Sequence, residues 1–232
     1  MTSLLIHRTI HGTTKLLSRI VGVLVVFFSF SLTACSPDAF FTNLPFSGDN
    51  KVLFKDDFSS TSGGWTTQRD ENTVIDYENG GFRIWVNQPN FDYWSVPGLR
   101  FTDVSIDVDA RKLAGPDDND YGIICRYKDQ DNFYGFLISS DGYYGISIRK
   151  NGDHAIIGGQ EMRPNTFIHT GTTLNHIHAD CIGSTLTLYV NNEKIAQVTD
   201  PDFTVGDVGL LAGSFAKNGV DILFQNFSVR KP

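Results

Sequence analysis

Glutamate is nearly missing from this sequence. Four occur in 232 residues, against 22 aspartates. Glu favours helices and Asp favours turns and loops, so the imbalance argues against a helical protein. Positive charge is also short, with 19 Lys and Arg against 26 acids. No basic footprint for nucleic acid is left. Three cysteines without C-x-x-C spacing are poor zinc ligands. A G-x-S-x-G elbow and a phosphate loop are both absent, which removes those hydrolase and nucleotide-binding readings. The apolar run at 20–32 has thirteen residues. A membrane-crossing helix needs roughly 20.

That run has the length of a signal-peptide core. Arg8, Lys15 and Arg19 precede it, and no acid occurs before Asp38. Leu32-Thr33-Ala34-Cys35 follows, and it resembles the bacterial lipobox. The resemblance implies a diacylglyceryl group on the Cys35 sulfur, cleavage after Ala34 and acylation of the new amino group. The other reading is a plain secretory signal that contains a cysteine. Acyl chains contribute about 0.8 kcal/mol per buried CH₂, so two or three hold a protein on a membrane. The expected organisation is a lipoprotein signal helix at 1–34, a lipidated Cys and tether at 35–50, and one domain at 51–232. The protein is expected on a membrane of the cell envelope, facing outside the cytoplasm. Loss of three cations with residues 1–34 takes the formal net charge from −7 to −10.

From Lys51 onward the apolar period is two. In DVSIDVDA (103–110), Val104, Ile106, Val108 and Ala110 alternate with Ser105, Asp107 and Asp109. HIHADC (176–181) and TLTLYV (185–190) repeat the pattern. Such alternation marks half-buried strands. Asn79-Gly80, Asp141-Gly142, Asn151-Gly152 and Asn191-Asn192 are hairpin-turn signals between them. Roughly a dozen strands at 8–12-residue spacing predict an all-β fold of two antiparallel sheets. Cys125 and Cys181 fall on inward positions of an exported chain. They form either a disulfide, worth roughly 4 kcal/mol by loop closure, or two reduced core thiols.

The segments LTLYVNNEKIAQVTDPDFTVGDVGLLAG and VDILFQNFSV, with FKDDF and Gly64-Trp65 at the front, resemble the concanavalin A-like lectin/glucanase sandwich of the laminin-G-like kind. The middle, YGIICRYKDQDNFYGFLISSDGYYGISIRKNG, is similar to bacterial surface lipoproteins carrying that sandwich. The resemblance spans 51–230 and implies a jelly roll. It says little about activity, since the scaffold hosts lectins, adhesion modules, glycosidases and 3-keto-disaccharide hydrolases. Laminarinase-like members carry Glu-x-Asp-x-x-Glu on one strand, and this chain has no such motif. No catalytic residue can therefore be named.

Several candidates remain. In GPDDNDY, Asp117, Asp118 and Asp120 crowd oxygens on a loop and suit either Ca²⁺ or a soluble acidic turn. Asp57 and Asp221 are a second oxygen pair if their strands are neighbours. His176 and His178 share a strand face, as a metal pair or as two solvated imidazoles. Asp107 and Asp109 share a face as well, as a polar surface or as a carboxylate pair. For sugar stacking the chain offers Tyr93 and Trp94, with Arg126, Tyr134, Tyr143 and Tyr144 on neighbouring strands; the other reading is an aromatic core with ordinary surface tyrosines. Alternation with inward Cys125 predicts an outward Arg126. The expected partner is a neutral glycan or a cell-surface protein, because the acidic chain repels polyanions. The alternatives are a glycoside-processing hydrolase and a structural envelope lipoprotein.

Overall fold

The computed structural model describes residues 51–232. The expectations for the signal helix, Cys35 and the tether lie outside the described residues. The first strands are β1 (Val52–Asp56), β2 (Gln68–Arg69), β3 (Thr73–Glu78), β4 (Gly81–Val86) and β5 (Phe91–Ser95). Long strands follow: β6 (Val104–Ala114), β7 (Asn119–Asp129), β8 (Asn132–Ile138) and β9 (Tyr143–Lys150). Then come β10 (Asp153–Ile156), β11 (Arg163–Pro164), β12 (Asn175–Ile182), β13 (Thr185–Val190) and β14 (Glu193–Thr199). The last two are β15 (Asp207–Ser214) and β16 (Val220–Arg230). Among the described residues no helix is long and apolar enough to cross a membrane.

The strands form two antiparallel sheets. One has nine strands in the order β14-β13-β12-β6-β16-β4-β3-β2, with β1 also on β16. The other has seven, in the order β10-β9-β8-β7-β15-β5, with β11 on β9. This is the two-sheet sandwich that alternation predicts. Ile177, Ala179 and Cys181 are fully buried, while His176, His178 and Asp180 between them are not. The hairpin signals also hold: Asn79-Gly80, Asn151-Gly152 and Asn191-Asn192 all take positive φ, as a tight primed turn requires.

Phe82, Phe136, Phe224 and Phe227 lie wholly between the sheets. Each such burial stabilises by roughly 1.5–3 kcal/mol. The Trp65 indole packs edge-on against Phe227 and donates to Asp56 at 3.0 Å, which pins the opening segment to the core. A disulfide joins Cys125 on β7 to Cys181 on β12, with Cα atoms 6.9 Å apart. It links one sheet to the other.

Alternation fails one residue after Cys125. A bulge shifts the β7–β8 register between Cys125 and Asp129, and Arg126 takes φ +53°. Its side chain therefore turns inward instead of outward. It is buried and donates to Phe203 O at 2.6 Å and to Asp103 at 3.3 Å.

Candidate functional site

The seven-stranded sheet has a second face, turned away from the core. Ile124, Phe133, Leu137 and Leu211 form a small apolar cluster there, separate from the main core. Register explains how they fit. Ile124 sits opposite Gly135 and Gly209, and Leu137 sits between Gly122 and Gly145. Each bulky residue lies beside positions without side chains. Mid-strand glycine weakens a strand, and its use here is close approach.

One half of this face is filled. Trp94 packs on Phe133 with ring centroids 5.3 Å apart, and Tyr127 packs on the same ring at 5.7 Å. The Arg149 guanidinium lies 5.5 Å from the Trp94 centroid, a cation–π contact. The other half is open, a pocket of about 560 Å³. Its walls include Asp118, Asp120, Asp141, Tyr143, His154 and Glu161. Asp120 enters it from the start of β7, and Asp118 from the loop just before that strand.

Asp120 is the most unusual group. It faces Gly213 on β15, which in turn faces Asp92 on β5. A Cβ on residue 213 would collide with Oδ1 of both carboxylates, so Gly213 alone lets the two acids meet across it. Asp120 is 4% exposed, and its Oδ1 has no hydrogen-bond partner. Burial, and then the Asp92 charge, push its carboxyl well above the usual range. Burial raises Asp92 too, while His154 and Arg149 pull it back. Burial and mutual repulsion therefore both disfavour ionising this pair, most strongly at Asp120. His154 stands exposed at the rim. The protein beneath its ring lowers its pKa, Asp92 opposes this, and Arg149 adds to it.

The residues expected to bind ligand are split by the structure. Trp94 and Tyr143 lie on the outer face. Tyr93 and Tyr144 pack on the core side. Tyr134 is fully buried, donates to Asp200 at 2.6 Å and accepts from the Phe203 amide at 3.0 Å. With buried Arg126, it is withdrawn from the shallow polar-aromatic face that alternation suggested. The acidic loop also divides: Asp117 pairs with the buried Lys112 amine, leaving Asp118 and Asp120 to the pocket. The trio therefore does not converge as a Ca²⁺ ligand set. Asp221 is taken by a two-pronged bond from Arg83 and is not a partner of Asp57. Asp92, Asp141, His154, Glu161 and Phe215 escaped sequence reading. Glycines at 122, 135, 145, 209 and 213 inside strand patterns were the available signal.

On the outer face of the nine-stranded sheet, His176 and His178 sit in register with Asp109 and Asp107 of β6. His176 Nδ1 lies 2.8 Å from Asp109, and His178 Nδ1 lies 2.8 Å from Asp107. His178 Nε2 reaches Asp180 at 3.1 Å, so both of its nitrogens are engaged by carboxylates. This is a ladder of charged hydrogen bonds. Among the described residues no group of three or more His, Cys, Asp or Glu suits a metal ion. Burial opposes the charged His178 ring, but its bonds to Asp107 and Asp180 outweigh that and raise its pKa to about 9. Burial would raise Asp107, yet bonds from His176 and His178 hold it well below the carboxylate range.

A pH dependence follows. The folded pKa of His178 lies above the ordinary 6.5, so its contribution is complete below pH 6.5 and is lost as pH rises through about 9. Stability measured by urea unfolding should fall by on the order of 2 kcal/mol across that window. His178→Gln should remove most of this slope. An unchanged slope in the variant would mean that the ladder is not its source.

No protein-family model matches the chain, and no curated protein matches it. Solved structures do share its fold. The carbohydrate-binding module CBM66 from Bacillus subtilis aligns with TM-score 0.59 at 18% identity, covering 72% of this chain and 96% of that one. A Bacillus subtilis protein of unknown function with a galectin-like fold gives TM-score 0.59 at 10% identity, covering 79% and 97%. The β-glucanase of Bacillus licheniformis gives 0.56 at 12%, covering 77% and 97%. Residues 51–232 therefore form an all-β sandwich of the kind found in lectins and glucanases.

Proposed function

We propose that this chain is a lipid-anchored envelope protein whose sandwich binds a glycan on the outer face of the seven-stranded sheet. The observation carrying this reading is the pocket itself. It combines an apolar floor, exposed Tyr143 and Phe215 rings, and several polar groups converging on one space. Sugars are held by aromatic faces against C–H surfaces and by a few fixed polar groups. The names of two proteins with similar folds, a carbohydrate-binding module and a β-glucanase, support glycans as the ligand class. Binding is favoured over hydrolysis. Glycosidases keep their two carboxylates at least about 5 Å apart to admit the reacting centre. Asp92 and Asp120 instead crowd a single glycine. Anchoring through Cys35 rests on the sequence resemblance.

The full chain in detergent micelles, applied to a glycan array, tests the reading. Binding to at least one glycan class is expected, with Tyr143→Ala weakening it roughly tenfold. An array with no binder at all would remove the glycan reading. Anchoring is checked separately with an alkyne fatty acid, whose incorporation should disappear in Cys35→Ala.

A further inference from the structure

Building on the glycan reading, we infer that this pocket selects a sugar carrying a free, protonated amine over its N-acetylated counterpart. Four carboxylates line the space, those of Asp118, Asp120, Asp141 and Glu161, and no Lys or Arg is among the lining residues. His154 is the one other ionisable nitrogen there. An acidic recess with low-dielectric walls concentrates cations. The whole chain is acidic as well, with a formal net charge of −7.

Acid clustering alone would fit a soluble surface, and a second observation points to a ligand. Asp120 lines the pocket, and its Oδ1, buried over Gly213, has no partner. Native structures rarely leave a buried acceptor orphaned, and a donor from a bound molecule is one way to satisfy it. An ammonium group brings three donors and a positive charge. It would also relieve the repulsion between Asp120 and Asp92.

The geometry speaks against a bare metal ion. Ca²⁺ takes six to eight oxygens within about 2.6 Å. Here the acids are spread around about 560 Å³, and among the described residues no three converge on one point. That spacing fits a molecule that fills the pocket and carries its charge at one end. Tyr143 and Phe215, both partly exposed, supply ring faces for a sugar or for the cation itself. The acidity that disfavours polyanions thus has a further consequence beyond tolerating neutral glycans.

The probes are a β-1,4-linked glucosamine tetrasaccharide and its fully N-acetylated counterpart. Both are titrated calorimetrically at pH 6 into the full chain in detergent. The free amine is expected to bind at least tenfold more tightly. Asp120→Asn and, independently, Glu161→Gln should each narrow that ratio. Asp70→Asn, a lost charge in the turn after β2 and outside the pocket lining, should leave it unchanged. Equal or tighter binding of the N-acetylated probe overturns the inference while leaving the glycan reading standing. A ratio that survives both pocket variants, or that falls equally in Asp70→Asn, overturns the assignment to this pocket. If neither probe binds and the glycan array is also blank, both readings fall together.

Discussion

At pH 8, Asp120→Asn should be more stable than the native protein by about 2 kcal/mol, even though it damages the pocket. Native Asp120 is buried, faces another carboxylate across Gly213 and leaves one oxygen unpaired. The asparagine amide has the same shape, carries no charge, and can donate to Asp92. The sign with pH follows from burial. The folded pKa lies above the ordinary 3.8, so the native penalty is absent below that value and grows as pH rises towards the folded pKa. The advantage of the variant should therefore shrink at pH 4. Urea unfolding at the two pH values measures it. A variant less stable than the native chain at pH 8 would show that Asp120 is satisfied in solution. A residue that costs stability where it serves binding is a common trade in ligand sites.

The largest loss should come from Cys125→Ala with Cys181→Ala. The bridge spans 56 residues. Loop closure over that length gives about 4 kcal/mol. For a domain of this size that is a fall in Tm of roughly 10 °C. Both sulfurs are wholly buried, so the variant also leaves a small void. Thermal melts of the native and doubly substituted chains decide it, and an unchanged Tm would mean that the core holds the sheets without the bridge.

The sandwich was legible because its residues speak through local periodicity. Val104, Ile106, Val108 and Ala110 alternate in the sequence and are all buried on β6. The disulfide was legible for the same reason, since both cysteines lie on inward phases. The pocket was not. Asp92 and Asp120 meet only because β5 and β7 flank β15, an order set by distant hydrophobic packing. Nothing near Asp92 in the sequence announces its partner. Arg126 misled for a local reason: one bulge inverts the phase of every residue beyond it, and alternation counted from Cys125 cannot register that. Tyr134 takes the core reading instead of the binding one because its hydroxyl has interior partners, Asp200 and the Phe203 amide, far along the chain.

The bridge also has a mechanical meaning. β1 begins the described fold by pairing with β16 in the nine-stranded sheet, whereas the pocket opens on the seven-stranded one. Tension between a chain held at its N-terminal side and a ligand fixed to another surface would have to cross from sheet to sheet. Side-chain packing alone resists such separation weakly, because apolar layers slide and part without breaking any bond. The Cys125–Cys181 link turns that path into a covalent one. Under pull on β1, its peeling from β16 would then precede any opening of the sandwich, and the pocket would keep its shape while that edge yields.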